Sequence, residues 1–281
     1  MKLEILRPGF TTTVQDLGRP GHAALGVGRS GAADRGSFRL ANRLVGNPSG
    51  AAGLEVTLGG LVLRATASTT IAVTGADCPL TVGGRAFGLN APITLPAGSE
   101  LSLGLATTGL RCYVAVRGGI DVPPVLGSRS TDTLGKLGPP PIAAGMLLPV
   151  GDDALGFPAV DLAPRAALPV SPVLRVTPGP RRDWFTDPAR LLSTVYTVSP
   201  DSDRVGIRLV GPPLSRTRHD ELPSEPCVPG SLQVPPSGRP ILFHADHPTT
   251  GGYPVIAVVD EEDLDVAAQL RPGQTLRFQP S

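Results

Sequence analysis

Thr70-Ile71-Ala72-Val73, followed by Thr81-Val82-Gly83-Gly84-Arg85-Ala86-Phe87, are the stretches that decide the fold. Both are short and β-rich, and the second turns back on itself through adjacent glycines, which accept the positive φ angles that a two-residue hairpin demands. Working outward, Leu61-Val62-Leu63 precedes them. Ile93-Thr94-Leu95, the turn Pro96-Ala97-Gly98, Glu100-Leu101-Ser102-Leu103 and Arg111-Cys112-Tyr113-Val114-Ala115-Val116 follow. Similar runs return at Leu174-Arg175-Val176, Gly206-Ile207-Arg208-Leu209, Leu232-Gln233-Val234, Ile241-Leu242-Phe243 and Val255-Ile256-Ala257-Val258-Val259. Short strands at this spacing predict barrels or sandwiches.

Helices are few. Ala33 to Val45 carries Phe38, Ala41, Leu44 and Val45 on one face and stops at Gly46-Asn47-Pro48, a glycine–proline exit typical of a helix C-terminus. Asp187-Pro188 can open a second helix, with Asp as cap and Pro at the first position. Asp260 to Leu270 begins with an acidic turn and ends before Pro272-Gly273, which suits the helix dipole.

The 281 residues include 35 Gly and 32 Pro spread along the chain, so these mark turns and not a low-complexity tail. With 41% hydrophobic residues there is enough apolar surface for a core. A net charge of +1 supplies neither a field for nucleic acid nor a polybasic strip for membrane. Cys78, Cys112 and Cys227 are odd in number and lack CxxC spacing, which fits buried thiols in a reducing compartment. The start of the chain shows no apolar leader and no stretch approaches a membrane span. A cytoplasmic location is expected.

Asp161 to Pro172 is the best linker, which sets two lobes at 1–167 and 168–281. A faint echo spans it: Leu3-Glu4-Ile5-Leu6-Arg7-Pro8-Gly9 matches Leu174-Arg175-Val176-Thr177-Pro178-Gly179. Asp34-Arg35 ahead of Arg43-Leu44-Val45-Gly46 likewise matches Asp203-Arg204 ahead of Arg208-Leu209-Val210-Gly211.

No GxxxxGK[ST] loop, GxGxxG after a strand, HExxH or GxSxG elbow is present. His244-Ala245-Asp246-His247 supplies too few ligands for zinc and reads as a polar turn, so no metal is expected. What stands out is polar residues set among glycines. Thr13-Val14-Gln15-Asp16-Leu17-Gly18-Arg19 combines an amide, a carboxylate and a guanidinium. Ser30-Gly31-Ala32-Ala33-Asp34 leads into the first helix, where free N–H groups can receive an anion. Arg117-Gly118-Gly119, Gly127-Ser128-Arg129-Ser130-Thr131, Asp201-Ser202-Asp203-Arg204, Ser224-Glu225 and Gln233-Val234-Pro235 continue the theme, which ends at Asp246 through Tyr253. Each alone is explained as a turn whose side chains cap the backbone. Thr249-Thr250-Gly251-Gly252-Tyr253-Pro254 fits that explanation least, because a hairpin needs neither two Thr nor a Tyr beside a buried strand.

Taken in order, seven of these motifs resemble the allophanate hydrolase subunit 2 family: Thr13 to Arg19, Ser30 to Asp34, Ala41 to Asn47, Gly127 to Thr131, Ser202 to Gly206, Gln233 to Pro235 and Thr249 to Pro254. The match runs from about Leu3 to Phe278. Pro226-Cys227 departs from it, since the family more often continues with Gly after Ser-Glu.

The resemblance implies a mainly β fold of two cyclophilin-like β-barrel domains with a few short helices. It implies the C-type subunit of an ATP-dependent 5-oxoprolinase or a related amide-acting complex. Its partners would be a KipI-like B-type subunit (allophanate hydrolase subunit 1) and an A-type 5-oxoprolinase subunit. Arg19, Arg117, Arg129 and Arg204 are then carboxylate or oxyanion clamps. Gln15, Ser130, Gln233, Thr249, Thr250 and Tyr253 line a pocket between the lobes, and Asp16, Glu225 or Asp246 takes a proton. ATP would use the partners or an unfamiliar pocket. Lys136 lacks an Ala-Met-Lys-Met context, so no biotin is expected on this chain. Two alternatives remain open: a non-catalytic KipA-type antagonist of a KipI-like kinase inhibitor, and a biotin-dependent carboxyltransferase subunit.

Overall fold

The computed structural model describes residues 1–157, 160–218 and 220–281; Pro158, Ala159 and His219 lie outside them. The chain is mainly β, with three short α-helices among the described residues. It divides into two units. Met1–Arg19, Asp34–Thr131 and Lys136–Leu168 form the first. The second takes Pro169–Ser281 together with two earlier segments, Pro20–Ala33 and Asp132–Gly135.

In the first unit, one sheet has the order Leu147–Pro149, Lys2–Pro8, Leu61–Ala65, Glu100–Leu103, Leu80–Val82, Arg85–Phe87. The other runs Thr11–Gln15, Gly53–Thr57, Thr108–Val116, Thr69–Asp77, Pro92–Leu95. Alternation sets which side faces the core: Leu61, Leu63 and Ala65 are buried while Val62 and Arg64 between them are not. Residues of both sheets, from Leu3 and Ile5 to Val114 and Val116, share one apolar cluster. The Gly83-Gly84 hairpin is present, pairing Val82 with Arg85, and both glycines have positive φ (54° and 79°). That is the geometry of the favoured two-residue turn.

Helix α1, Arg35–Leu44, buries Phe38, Ala41 and Leu44. Asp34 caps it by accepting from Ser37 N at 2.8 Å and from Ser37 Oγ at 2.6 Å. The helix start expected to receive an anion is therefore filled by the chain's own carboxylate.

The second unit is a closed seven-stranded barrel. Its strands are Val173–Pro178, Val255–Val259, Ser231–Gln233, Ile241–Phe243, Gly206–Val210, Tyr196–Val198 and Thr275–Pro280. Closure comes from a parallel pairing of Val173–Pro178 with Thr275–Pro280, while the other neighbours pair antiparallel. Helix α3 (Glu261–Ala267) starts directly after Asp260 as expected, whereas α2 (Arg190–Ser193) has Ala189 at its cap with no side-chain cap bond, so Asp187 and Pro188 precede the helix instead of opening it. In α3, Asp263 also binds Arg175 of the first barrel strand through Nε (3.1 Å), Nη2 (2.8 Å) and backbone N (2.6 Å). No helix among the described residues is long and apolar enough to cross a membrane.

The internal echo holds at one end and breaks at the other. Both Leu3 to Pro8 and Leu174 to Pro178 are strands. The Arg-Leu-Val-Gly copies differ: Arg43 and Leu44 end α1, whereas Arg208-Leu209-Val210 is strand. Apolar spacing decides the matter. Phe38, Ala41 and Leu44 recur at helical intervals, while Ile207 and Leu209 alternate with exposed Arg208 and Val210.

Candidate functional site

Thr13 to Gln15, read from sequence as part of a turn, belongs to an edge strand, Thr11–Gln15, paired in register with Gly53–Thr57. It delivers Gln15 and Asp16 to the Gly127–Thr131 segment. The Asp16 carboxylate accepts from Ser128 Oγ (2.6 Å), Ser130 Oγ (2.5 Å), Arg129 N (2.6 Å) and Gly18 N (2.7 Å). Four donors on one carboxylate fix two loops together. Arg19, 2% exposed, donates to the carbonyls of Ser130 and Val125. Gln15, fully buried, donates through Nε2 to Thr13 Oγ1 and the Thr131 carbonyl, each at 3.0 Å. Its Oε1 is buried with no hydrogen-bond partner among the described residues, a state that costs about 1–3 kcal/mol. The side chains of Gln15, Asp16, Arg19 and Ser130 are thus brought together with the backbone of Arg129. The Arg129 side chain turns away, to Asp121 (2.8 Å) and the Val122 carbonyl (2.7 Å). Arg117 binds the carbonyls of Val45 and Gly156 and lies 4.8 Å from the Phe157 ring centre.

In the second unit, Arg204 and Asp246 form a buried pair. Arg204 Nε and Nη2 donate to the carboxylate at 2.9 and 3.0 Å, and Nη2 also reaches the Gly31 carbonyl at 2.6 Å. Ser30 Oγ (2.7 Å), Thr133 Oγ1 (2.7 Å) and Thr133 N (2.9 Å) complete the carboxylate's partners. Burial pushes the Asp246 acid up, but the Arg204 charge, its hydrogen bonds and those of Ser30 and Thr133 outweigh burial and hold it at about 2. A carboxylate this acidic and this fully bonded is a poor proton acceptor at neutral pH, so the geometry makes Asp246 an anchor.

Thr249–Pro254, expected to be a hairpin on its own, also belongs to this unit, but its strand pairs with a distant segment and not across its own turn. Thr250–Gly251 pairs with Glu225–Pro226, and Cys227 N donates to the Thr249 carbonyl at 2.9 Å. Gln233 Nε2 donates to the Tyr253 carbonyl at 3.1 Å, and Val234 N to that of Pro254 at 3.0 Å. The segment is therefore pinned to the barrel strand Ser231–Gln233, with Tyr253 left 44% exposed. A Cβ at Gly251 would lie 2.4 Å from Gln233 Nε2 and 3.2 Å from Cys227 Sγ, so a side chain there would displace the end of Gln233. Glu225 is held by Arg181 through Nε at 3.1 Å and through Nη2. Sequence reasoning misses Arg181, since Pro180-Arg181-Arg182 carries no motif.

Of a second set of buried residues, sequence reasoning picks out only Asp34, as the end of the Ser30 to Asp34 motif. Glu55, Arg111, Tyr113 and Asp34 are each at most 3% exposed. Tyr113 Oη donates to Glu55 Oε2 at 2.9 Å and accepts from Asp34 N at 2.8 Å. Arg111 faces Glu55 at 3.5 Å, and Arg165 faces Asp34 at 3.5 Å. Burial, then the charges of Glu55 and Asp34, keep the Tyr113 phenol well above its usual range. A glutamate in Gly53-Leu54-Glu55-Val56-Thr57 was the available signal: an acid inside an apolar strand.

Comparison with known proteins gives one family and two kinds of relative. The family model "Carboxyltransferase domain, subdomain A and B" matches residues 25–280. The C-type 5-oxoprolinase subunit of Escherichia coli (strain K12) is 38% identical over 287 residues, covering 98% of this chain and 90% of that protein. The urea amidolyase of Saccharomyces cerevisiae is 35% identical over 312 residues, covering 99% of this chain but 16% of that one. Among solved structures, the Kluyveromyces lactis urea amidolyase superposes with a TM-score of 0.92 at 34% identity, over 99% of this chain and 18% of that one. TTHA0988 superposes with a TM-score of 0.90 at 38% identity, over 99% of this chain and 55% of its own length. The chain belongs to the carboxyltransferase domain family, subdomains A and B, which includes the C-type subunits of 5-oxoprolinase.

Proposed function

We propose that this chain is the C-type subunit of an ATP-dependent 5-oxoprolinase-like complex in the cytoplasm, acting with a KipI-like B-type subunit and an A-type subunit. The observation that carries this is the end-to-end match to the C-type 5-oxoprolinase subunit, covering 98% of this chain and 90% of that relative. The site chemistry supports it. A lactam is opened by polarising an N–C=O group, which oriented donors do best in a dry, preorganised setting.

The residues divide by what their side chains are already doing. Asp16 and Asp246 hold loops in place. Glu225 has Arg181 as its one side-chain partner among the described residues, sits beside the Thr249–Pro254 segment and keeps 25% of its side chain exposed, which makes it our choice for proton acceptor. Thr249, Thr250, Gln233 and Tyr253 frame that position in the second unit, and Gln15 and Ser130 serve the first. ATP is assigned to the partner subunits. The chain has no glycine-rich phosphate loop, and no three acidic, His or Cys side chains among the described residues group to hold a metal.

The test is ATP-dependent glutamate release from 5-oxoproline by this chain purified with its B-type and A-type partners. Turnover that requires all three supports the reading. A folded complex that ignores 5-oxoproline and processes urea or allophanate overturns it. That second reading, transfer of a carboxyl group from biotin carried on another chain, is favoured by the family model and by the urea amidolyase match.

A further inference from the structure

Each arginine nominated from sequence as a ligand clamp is engaged by protein: Arg19 and Arg117 by carbonyls, Arg129 by Asp121, Arg204 by Asp246. Arg216, which no motif singled out, makes one side-chain hydrogen bond among the described residues where each of these makes two or more. Its Nη2 donates to the Val234 carbonyl, and its guanidinium carbon lies 5.9 Å from the Tyr253 ring centre. Its Nε is buried without a hydrogen-bond partner, and no carboxylate among the described residues pairs with it. Nor is it a loose surface side chain. The backbone is fixed on both sides, by Thr186 N to the Ser215 carbonyl (3.0 Å) and Thr217 N to the Trp184 carbonyl (2.8 Å).

A half-buried guanidinium with no counter-charge has lost hydration and gained little in return. A bound anion reverses that balance, and the planar fork of arginine suits a carboxylate in particular. The surroundings are those of the candidate site: Tyr253 belongs to the Thr249–Pro254 segment, and Gln233, next to Val234, binds the Tyr253 carbonyl. Stacking against the ring keeps the guanidinium oriented.

We propose that Arg216, set against Tyr253 and Val234, is the receptor for the carboxylate of a small amide-acid substrate. The choice of acid rests on the 5-oxoprolinase-like reading. The carboxylate is also the group that separates 5-oxoproline and allophanate from neutral urea.

Binding to the complex is measured with L-5-oxoproline and with 2-pyrrolidinone, the same lactam without its carboxylate. The wild type is expected to prefer the acid by about tenfold or more. Arg216→Gln should abolish that preference by weakening 5-oxoproline and leaving 2-pyrrolidinone unchanged, and Arg216→Lys should recover part of it. An undiminished preference in Arg216→Gln overturns the proposal. Should that variant not fold, the wild-type chain decides by arginine Nε–H NMR, with the Arg216 signal identified by its absence from Arg216→Lys. A shift with 5-oxoproline and none with 2-pyrrolidinone supports the proposal; no shift with either refutes it. If neither lactam binds the wild type, the 5-oxoprolinase reading fails. Acetate then tests Arg216 alone: binding lost in Arg216→Gln upholds an anion receptor, and no binding removes it.

Discussion

Arg204 and Arg216 lie twelve positions apart in the same unit and carry the same side chain, yet their surroundings are opposite. Arg204 is 6% exposed, and its guanidinium meets both oxygens of Asp246 and the Gly31 carbonyl. Arg216 gives one donor to a carbonyl, leaves Nε without a partner and has a tyrosine face where Arg204 has a carboxylate. A saturated buried pair has no donor left for a ligand, so its removal should be felt as lost stability. An unsaturated guanidinium contributes little to the fold and should be felt as lost recognition.

The largest effect expected from this contrast is on Arg204→Met. It leaves the Asp246 carboxylate buried and uncompensated, which costs about 3–5 kcal/mol. Urea denaturation should show a large fall in midpoint, and Arg204→Met with Asp246→Leu should recover only part of it, because the buried charge is gone while the Gly31 carbonyl, Ser30 Oγ and both Thr133 donors lose the bonds they make to the pair. A single substitution costing no more than an ordinary surface change would break the comparison at once.

The next effect is on pH. The folded-state pKa of Asp246, about 2, is depressed below the ordinary carboxylate value of 3.8. Its contribution is therefore complete above about pH 4 and is lost as pH falls toward 2. The amount at stake is about 2 kcal/mol. Asp246→Asn should flatten the stability profile across that window, as read by chemical denaturation at pH 5, 4, 3 and 2. A variant whose acid limb matches the wild type would show that other carboxylates govern it.

Legibility in the sequence followed the same line between patterned and unpatterned residues. Alternating strands such as Leu61 to Leu63, the Gly83-Gly84 turn and the starts of α1 and α3 were readable because period and capping act locally. Thr11–Gln15 was not: its register is set by Gly53–Thr57, some forty residues later, and four of its five residues are polar. The site motifs were readable as a set and not as roles. Asp16, Arg19, Arg204 and Asp246 stood out as polar residues set among glycines, and the bonds they make to distant backbone leave no mark in the sequence. Arg216 stood out not at all, since a missing partner leaves no mark in one dimension.

The smallest effects come from two glycines, and they separate recognition from stability most cleanly. Gly84 has φ +79° and open space around its Cα, so Gly84→Ala meets only backbone strain, about 1 kcal/mol. Gly251 has no such φ; there the obstacle is Gln233, whose Nε2 a new Cβ would approach to 2.4 Å. A side-chain end can move aside, so Gly251→Ala should cost about 1 kcal/mol at most, the worth of the Gln233 bond to the Tyr253 carbonyl. The stability losses are alike. Activity of the complex should tell them apart: Gly84→Ala should turn over 5-oxoproline as the wild type does, whereas Gly251→Ala releases Tyr253 from Gln233 and loosens the ring against which Arg216 rests. Its KM for 5-oxoproline should rise with little change in kcat, because Arg216 is assigned to binding and not to proton transfer. Equal activity in the two variants would detach the Thr249–Pro254 segment from substrate recognition.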